Sequence, residues 1–282
     1  SQIVLGNGSD EIIDMVGKAF FRPGDEVIGI RTTFSVYRAT ALLYGAKFVS
    51  VSESEESVPL ESYLQALTPK TRAIFLCNPN NPTGAYYAER EVLGFLEKVP
   101  SDVLVFIDEA YSEFATAADY PQLVPLLSKF PNLMLNRTFS KVYGLAGLRI
   151  GYAFSSEEVT RAMWKVKPPF DVNLAAQAAA VAALSDDEHL RRTLEMNARG
   201  IRELLEAFGA LGFRVLPTQA NFLCIRIGEK CAELVKFLER NGMIVRYLKS
   251  FGLPEWVRVT VGKPEENALL VELAKKWKAQ NV

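Results

Sequence analysis

Residues 103–111 read Val-Leu-Val-Phe-Ile-Asp-Glu-Ala-Tyr, five apolar residues followed by Asp108. A short, uninterrupted apolar run of this kind is typical of a strand that is buried on both faces of a parallel sheet. Asp108 is then expected at the carboxyl edge of the sheet, where open α/β folds bind their ligands. Because an ionised carboxylate is costly there unless it meets a cation, Asp108 is either a capping residue or the partner of a cationic ligand group.

The same pattern repeats through the first 165 residues. Strands are also predicted at residues 26–30, 47–51, 73–77, 133–136 and 149–154. Helical patterns lie among them at residues 10–20, 35–44 and 88–97. Strands that alternate with helices indicate an α/β fold, with a mainly parallel sheet sandwiched by helices.

The pattern changes after Pro168-Pro169. An Ala-rich helix at residues 174–184 and a long amphipathic helix at residues 188–211 precede shorter elements. These are strands at residues 213–216, 222–227, 244–247 and 256–261, with helices near 232–241 and from 264. We therefore expect a large domain at residues 1–185, and a long linking helix with a smaller α+β domain at residues 186–282.

Charge and histidine content exclude several classes of protein. The chain has 32 Lys and Arg against 33 Asp and Glu, so no basic field favours nucleic acid or a membrane surface. A single histidine, His189, lies in a charged stretch that is typical of a solvated helix face. One imidazole cannot build a His-rich metal site, and no metal is expected. General acid–base chemistry is then expected from Lys, Tyr, Asp or Glu.

The cysteines and the N-terminal sequence indicate the cellular compartment in which the protein is expected. Cys77, Cys224 and Cys231 form no CxxC motif and are predicted to be buried, unpaired residues in a reducing compartment. The first residues, which include no Met, do not have the pattern of a signal peptide. We expect a cytoplasmic protein, with the chain either trimmed or naturally shortened at its start.

Polar loops follow several of the predicted strands. Ser9 and Asp10 either cap a helix or offer its N-terminus to a phosphate. The loop at residues 78–84 contains two Asn-Pro steps, which a plain turn can also explain. Lys141 follows Thr138 and Ser140, and it is either a solvated surface lysine or a nucleophile with a lowered pKa.

Together these loops resemble the fold-type I pyridoxal-phosphate enzymes of the aspartate aminotransferase superfamily, and most closely the histidinol-phosphate aminotransferases. The resemblance covers most of the chain. It rests on LGNGSDEIID, TFSVY, CNPNNPTG, FIDEAYSEF, RTFSKVYGLAGLRIGY, KPPFDVN with the AAQAAAVAAL that follows, and VRVTVGKPEEN.

The resemblance implies pyridoxal 5'-phosphate as cofactor and a role for each matching residue. Lys141 would bind the cofactor covalently and later move a proton, and Asp108 would keep the pyridine nitrogen protonated. Asn81 and Tyr111 would bind the phenolate oxygen, and Phe34, often Tyr or Trp in relatives, would stack on the ring. The phosphate would be held by Ser9, Asp10, Thr138, Ser140 and Arg149.

The resemblance also implies the substrates and the assembly. Arg258, and Arg246 on the preceding strand, would hold the substrate's carboxylate or phosphate, although both can be plain surface arginines. The expected reaction transfers the amino group of histidinol phosphate to 2-oxoglutarate. A homodimer is expected, yet the relatives' N-terminal arm has no match here. The alternatives are an aromatic amino-acid aminotransferase, a threonine-phosphate decarboxylase-like enzyme, or a truncated module that only binds the cofactor.

Overall fold

The computed structural model describes residues 2–51 and 58–281. In this part of the chain, seven strands form a sheet in the order β1-β7-β6-β5-β4-β2-β3. They are β1 (Ile3–Gly6), β2 (Glu26–Gly29), β3 (Lys47–Ser50), β4 (Thr71–Cys77), β5 (Leu104–Asp108), β6 (Leu133–Thr138) and β7 (Gly151–Ser155). Strands β2 to β6 pair in parallel, and β7 runs antiparallel to both β6 and β1. The predicted, mainly parallel sheet is confirmed.

The central strands are buried on both faces because alternate side chains enter two different cores. Ile74, Val105 and Leu135 belong to the core on one face. Phe75 and Phe106 belong to the core on the other face. This double burial explains why these strands read as unbroken apolar runs.

Six helices accompany the large sheet in the described residues, and the last of them packs mainly against the loop that follows β6. They are α1 (Ser9–Phe20), α2 (Ser35–Leu43), α3 (Leu60–Gln65), α4 (Glu89–Leu96), α5 (Glu157–Val166) and α6 (Leu174–Leu184). The sequence pattern did not predict α3 or α5. Helix α5 has a recognisable start, since the Ser156 hydroxyl accepts a hydrogen bond from the Val159 backbone N–H at 3.4 Å.

A second, antiparallel sheet is formed by the C-terminal part of the chain, in the order β10-β11-β9-β8. Its strands are β8 (Arg214–Val215), β9 (Phe222–Arg226), β10 (Arg246–Tyr247) and β11 (Trp256–Thr260). Three helices, α7 (Asp187–Ala210), α8 (Cys231–Arg240) and α9 (Pro264–Asn281), surround its core. This confirms the predicted α+β unit, although β8 and β10 are shorter than expected.

The predicted strand at residues 149–154 is wrong at its start. Arg149 has φ 61°, a left-handed conformation that cannot continue a strand, so β7 begins at Gly151. The proposed boundary between residues 185 and 186 falls between α6 and α7, and it stays a prediction. None of the helices in the described ranges is long and apolar enough to cross a membrane.

Candidate active site

A cavity of about 180 Å³ opens at the carboxyl edge of the large sheet, beyond β4, β5 and β6. All ten residues to which the family resemblance gave a role in binding the cofactor line this cavity. These are Ser9, Asp10, Phe34, Asn81, Asp108, Tyr111, Thr138, Ser140, Lys141 and Arg149, joined by Cys77, Ala110 and Ala146. Residues separated by up to about half of the chain thus converge because parallel strands end at one edge.

One end of this cavity is suited to an anion. Gly8, with φ 83°, is the N-cap of α1 and there is no side-chain cap, so of the two alternatives for Ser9 and Asp10 the helix cap is not formed. Without a side-chain cap, the first N–H groups of α1 can bind an anion. Arg149 lies beside them, because a Cβ placed on Gly8 would lie 2.4 Å from its Nη2 atom.

The Arg149 side chain is positioned by two further contacts. Its Nη2 atom lies 3.5 Å from Asp10 Oδ2, and its Nη1 donates to the Ala146 carbonyl at 3.1 Å. Its left-handed backbone is uncommon for a non-glycine residue, and such conformations cluster at functional sites.

Hydroxyl groups at the end of β6 complete the anion site. Thr138 is buried, and its Oγ1 accepts a hydrogen bond from the Ser140 backbone N–H at 3.1 Å. The Thr138 hydroxyl proton is therefore directed away from this bond, and it can be donated to a neighbouring oxygen.

Asp108 lines the cavity at the end of β5, and its carboxylate is buried. Its Oδ2 accepts a hydrogen bond from the Tyr37 hydroxyl at 2.6 Å. Its Oδ1 accepts from the Ala110 backbone N–H at 3.1 Å and from Asn136 Nδ2 at 3.2 Å. Burial raises the pKa of Asp108, and the three donors only partly offset that effect.

Tyr37 and Asn136 were not predicted as site residues. The sequence did contain a signal for Tyr37, since it lies three residues after Phe34 and so on the same face of α2. Asn136 lies on β6 beside Asp108 on β5 in the strand register. Tyr37 and Asn136 lie within a helix and a strand, whereas the polar residues that predicted the site follow the strand ends.

The amine of Lys141 has a lower pKa than that of an exposed lysine, so it loses its proton more readily. Burial lowers its pKa, and the positive charge of Arg258 acts in the same direction, while the Asp108 carboxylate opposes them. The direction expected from the sequence is confirmed. The Lys141 ammonium lies 5.3 Å from the centroid of the Tyr111 ring. Tyr111 is itself buried, which raises the pKa of its phenol.

Arg258, on β11, connects the small sheet to this cavity. Its Nη1 donates to Asn81 Oδ1 at 2.5 Å, and its guanidinium lies 5.0 Å from the centroid of the Phe222 ring. Its Nε is buried without a hydrogen-bond partner. An unpaired guanidinium N–H inside a protein is costly, so this edge of Arg258 is suited to an incoming anion.

Arg246 is placed differently. It lies directly opposite Arg258 in the β10–β11 register, so both side chains project from the same face of the small sheet. Arg246 is exposed, however, and its guanidinium lies over the Phe251 ring at 5.8 Å from the centroid. Neither arginine is among the residues that line the 180 Å³ cavity, and Arg258 reaches it only through its contact with Asn81.

His189 and the three cysteines have no role in the chemistry expected from the sequence, although Cys77 lines the cavity. The His189 ring is partly buried rather than fully solvated, with Nε2 at 3.3 Å from the Val142 carbonyl. Cys77, Cys224 and Cys231 are buried and unpaired, as predicted. No group of three His, Cys, Asp or Glu in the described residues is arranged to hold a metal ion.

The donor set fits a phosphorylated pyridine aldehyde. The α1 N-terminus with Arg149, Thr138 and Ser140 suits a phosphate, and Asp108 suits a pyridine nitrogen. Lys141, whose amine has a lowered pKa in the same cavity, suits an aldehyde carbon.

Comparisons with known proteins agree with this chemistry. The model of the family "Aminotransferase class I and II" matches residues 1–273. Histidinol-phosphate aminotransferase 2 of Ralstonia nicotianae is 42% identical over 281 residues, which cover 99% of this chain and 75% of the relative. Histidinol-phosphate aminotransferase of a Geobacillus species is 43% identical over 271 residues, which cover 96% and 74% of the two chains.

Two solved structures share the fold of this chain. Histidinol-phosphate aminotransferase from Sinorhizobium meliloti, solved in complex with pyridoxal-5'-phosphate, superposes with a TM-score of 0.92 at 26% identity. The match covers 100% of this chain and 77% of that one. L-threonine-O-3-phosphate decarboxylase from Porphyromonas gingivalis superposes with a TM-score of 0.83 at 26% identity, over 98% and 83% of the two chains.

Proposed function

The chain belongs to the aminotransferase class I and II family, and on that premise we propose that it is a pyridoxal-phosphate-dependent histidinol-phosphate aminotransferase. It transfers the amino group of L-histidinol phosphate to 2-oxoglutarate, giving imidazole-acetol phosphate and glutamate in histidine biosynthesis. The convergence of all ten nominated residues on one cavity is the observation that carries the cofactor and the chemistry. The names of the relatives at 42–43% identity support the choice of substrate.

The residues divide the binding of the cofactor among them. The N–H groups at Ser9 and Asp10, with Thr138, Ser140 and Arg149, hold the phosphate. Phe34 packs against the ring, and Asn81 and Tyr111 donate to its phenolate oxygen. Bound in this way, the cofactor supplies an electron-withdrawing ring that stabilises negative charge on the reacting carbon of the substrate.

Two ionisable residues perform the proton chemistry. Asp108 holds a proton at the pyridine nitrogen, and that positive charge stabilises the ionised carboxylate in its buried position. The Lys141 amine takes a proton from the reacting carbon and returns it at the neighbouring position. It must be neutral to do so, and the lowered pKa of Lys141 favours the neutral form. Arg258, assisted by Arg246, binds the phosphate or carboxylate of the substrate.

The test is a comparison of substrates with the cofactor-loaded protein. Glutamate release is measured with histidinol phosphate and 2-oxoglutarate, and phenylalanine and O-phosphothreonine replace histidinol phosphate in parallel. We expect kcat/KM to be roughly tenfold or more higher for histidinol phosphate than for either alternative. Preference for phenylalanine, or release of carbon dioxide from O-phosphothreonine, would contradict the assignment. Cofactor absorbance without any amino transfer would favour the module that only binds the cofactor.

We also propose a homodimer, in which α6 contributes to the contact. Leu174 is 81% exposed, Val181 70% and Leu184 58%, while Ala176 and Ala180 are the buried residues of this helix. An apolar helix face of this kind marks a protein contact surface. Light scattering of the purified protein is expected to give a dimer mass, and Val181→Glu a monomer; a monomeric parent protein would contradict the proposal.

For location, we propose the reducing cytoplasm. The support is that Cys77, Cys224 and Cys231 are all buried and unpaired. Thiol titration of the unfolded protein, isolated without reductant, is expected to find three free thiols; fewer would count against this location.

A further inference from the structure

The segment between β8 and β9, residues 216–221, lies against a loop of the large sheet. The Gln219 backbone N–H donates a hydrogen bond to the Gly84 carbonyl at 2.9 Å. Thr218 packs directly against Gly84, since a Cβ placed on this glycine would overlap the Thr218 side chain. The segment therefore touches the end of the loop that follows β4 and carries Asn81.

The Gln219 side chain reaches a second loop. Its Oε1 accepts hydrogen bonds from the backbone N–H groups of Thr116 at 2.6 Å and Ala117 at 3.0 Å. Both donors follow the turn Ser112–Phe114, in the loop that leaves β5 and carries Tyr111. Only the oxygen of a side-chain amide can accept such bonds, so the contacts also fix the orientation of the amide. Gln219 thus joins two loops of the large sheet to the start of β9.

The residues that follow Gln219 enter the candidate active site. Ala220 and Phe222 are buried in one cluster with Ala110 and Tyr111. The Phe222 ring meets the Tyr111 ring edge-on, with centroids 5.1 Å apart. The Arg258 guanidinium lies 5.0 Å from the centroid of the same Phe222 ring. Phe222 therefore contacts both a residue that lines the 180 Å³ cavity and the arginine of the small sheet.

The position of Arg258 matters for the Lys141 amine. Burial lowers the pKa of Lys141, and the charges of Arg258 and Arg149 lower it further, while Asp108 and Asp10 raise it. Of these four charged residues, only Arg258 comes from the small sheet. Because the interaction of two charges weakens with distance, its effect depends on how the small sheet is held against the large one.

We infer that Gln219 is a positioning residue, whose side-chain amide holds the start of β9 against both loops and so keeps Arg258 near the Lys141 amine. Gln219 is not among the residues that line the 180 Å³ cavity, and it acts through Phe222 and Arg258. The inference deepens the proposed function and rests on it for the roles of Arg258 and Lys141 in the reaction.

The Gln219 side chain can be changed without unfolding the chain. Gln219 and Ala117 are half-buried and Thr116 is exposed, so water can take the place of the lost acceptor at both N–H groups. Gln219→Leu removes the acceptor and keeps most of the side-chain volume. Gln219→Ala serves as a second variant that removes the same two hydrogen bonds.

The test measures the reactivity of the Lys141 amine in the cofactor-free protein. Trace acetylation with acetic anhydride over a pH series, followed by peptide mapping, gives the labelling of Lys141 relative to the exposed Lys165. Because only the neutral amine reacts, the midpoint reports proton affinity and the plateau reports access. In both Gln219 variants we expect the midpoint to move to higher pH. Labelling at mildly alkaline pH should fall at least about threefold.

A double-mutant cycle shows whether Gln219 acts through Arg258. Arg258→Gln should itself lower the labelling of Lys141, and adding Gln219→Leu to it should change the labelling less than about 1.5-fold. Asn241→Leu is the matched control, since it removes a side-chain amide bond of 2.8 Å to the Phe237 carbonyl at the end of α8. This control is expected to be labelled like the parent protein.

Four results would each overturn the inference. They are parent-like labelling in the Gln219 variants, parent-like labelling in Arg258→Gln, the same fall with and without Arg258, and an equal fall in Asn241→Leu. The labelling needs neither cofactor nor substrate, so it is independent of the substrate comparison. If the parent protein does not use histidinol phosphate but the labelling follows the expected pattern, the proposed function fails and the positioning role of Gln219 stands.

Discussion

The Tyr37 hydroxyl donates a hydrogen bond of 2.6 Å to Oδ2 of Asp108, and both groups are buried at the edge of the sheet. This contact joins α2 to β5 and fixes the direction of the carboxylate. Because the donor stabilises the ionised form of Asp108, it also counteracts the effect of burial on the pKa.

Tyr37→Phe is therefore expected to raise the pKa of Asp108 further. The acidic limb of the kcat–pH profile should move to higher pH, and kcat near neutrality should fall roughly tenfold, as expected for one lost hydrogen bond to a charged group. Tyr44→Phe is the matched control, since the Tyr44 hydroxyl donates to Asp14 at 2.9 Å outside the cavity. A profile of Tyr37→Phe that matches the parent would contradict a role for this contact.

Gly8→Ala tests the phosphate site. The added Cβ would lie 2.4 Å from Arg149 Nη2, so the guanidinium must move away from the α1 N-terminus. Affinity for pyridoxal phosphate is expected to fall at least about tenfold, with little change for unphosphorylated pyridoxal.

Gly24→Ala has the same type of backbone strain, at φ 93°, but its Cβ meets nothing within 4 Å. Both variants should lose about 1 kcal/mol of stability, and only Gly8→Ala should lose phosphate binding. Equal cofactor affinities in the two would exclude this geometry.

Arg258→Gln tests the electrostatics at Lys141. The positive charge of Arg258 lowers the pKa of Lys141, so its removal should raise that pKa. The rate at which the cofactor-free protein captures pyridoxal phosphate depends on the neutral amine, and its pH dependence should shift to higher pH. Arg246→Gln, on the opposite strand, is expected to leave the profile in place. An unshifted profile in Arg258→Gln would show that the two charges do not interact.

Glu113 is expected to make stability depend on pH. Burial raises the pKa of its carboxyl from 4.5 to about 7. Between these values the folded state binds more protons than the unfolded state, so the free energy of unfolding should decrease as the pH rises from about 4.5 to about 7. The expected loss is on the order of 2 kcal/mol.

Urea unfolding at a series of pH values measures this slope, with the cofactor-free protein throughout. Glu113→Gln is expected to flatten it, and Glu206→Gln, at an exposed position on α7, is expected to preserve it. A stability that rises with pH over this range in the parent, or a slope unchanged in Glu113→Gln, would contradict the raised pKa of this partly buried carboxyl.

The sequence predicted most of the large sheet because its central strands are buried on both faces and read as apolar runs. It also predicted the position of Asp108, since polar residues that end such runs lie at one edge. The contact from Tyr37 could not be predicted in this way, because it joins residues 71 positions apart through the packing of α2. The left-handed conformation of Arg149 was likewise not predicted, because arginine is not a residue type that favours it.

Borohydride reduction of the protein with pyridoxal phosphate, followed by peptide mapping, shows which lysine binds the cofactor covalently. We expect one equivalent of cofactor, attached to the peptide that contains Lys141. Lys141→Ala should abolish the label and remain folded by circular dichroism, whereas Lys165→Ala, an exposed residue of α5, should be labelled like the parent. Attachment at another lysine, or an undiminished label in Lys141→Ala, would show that Lys141 is not the lysine that binds the cofactor.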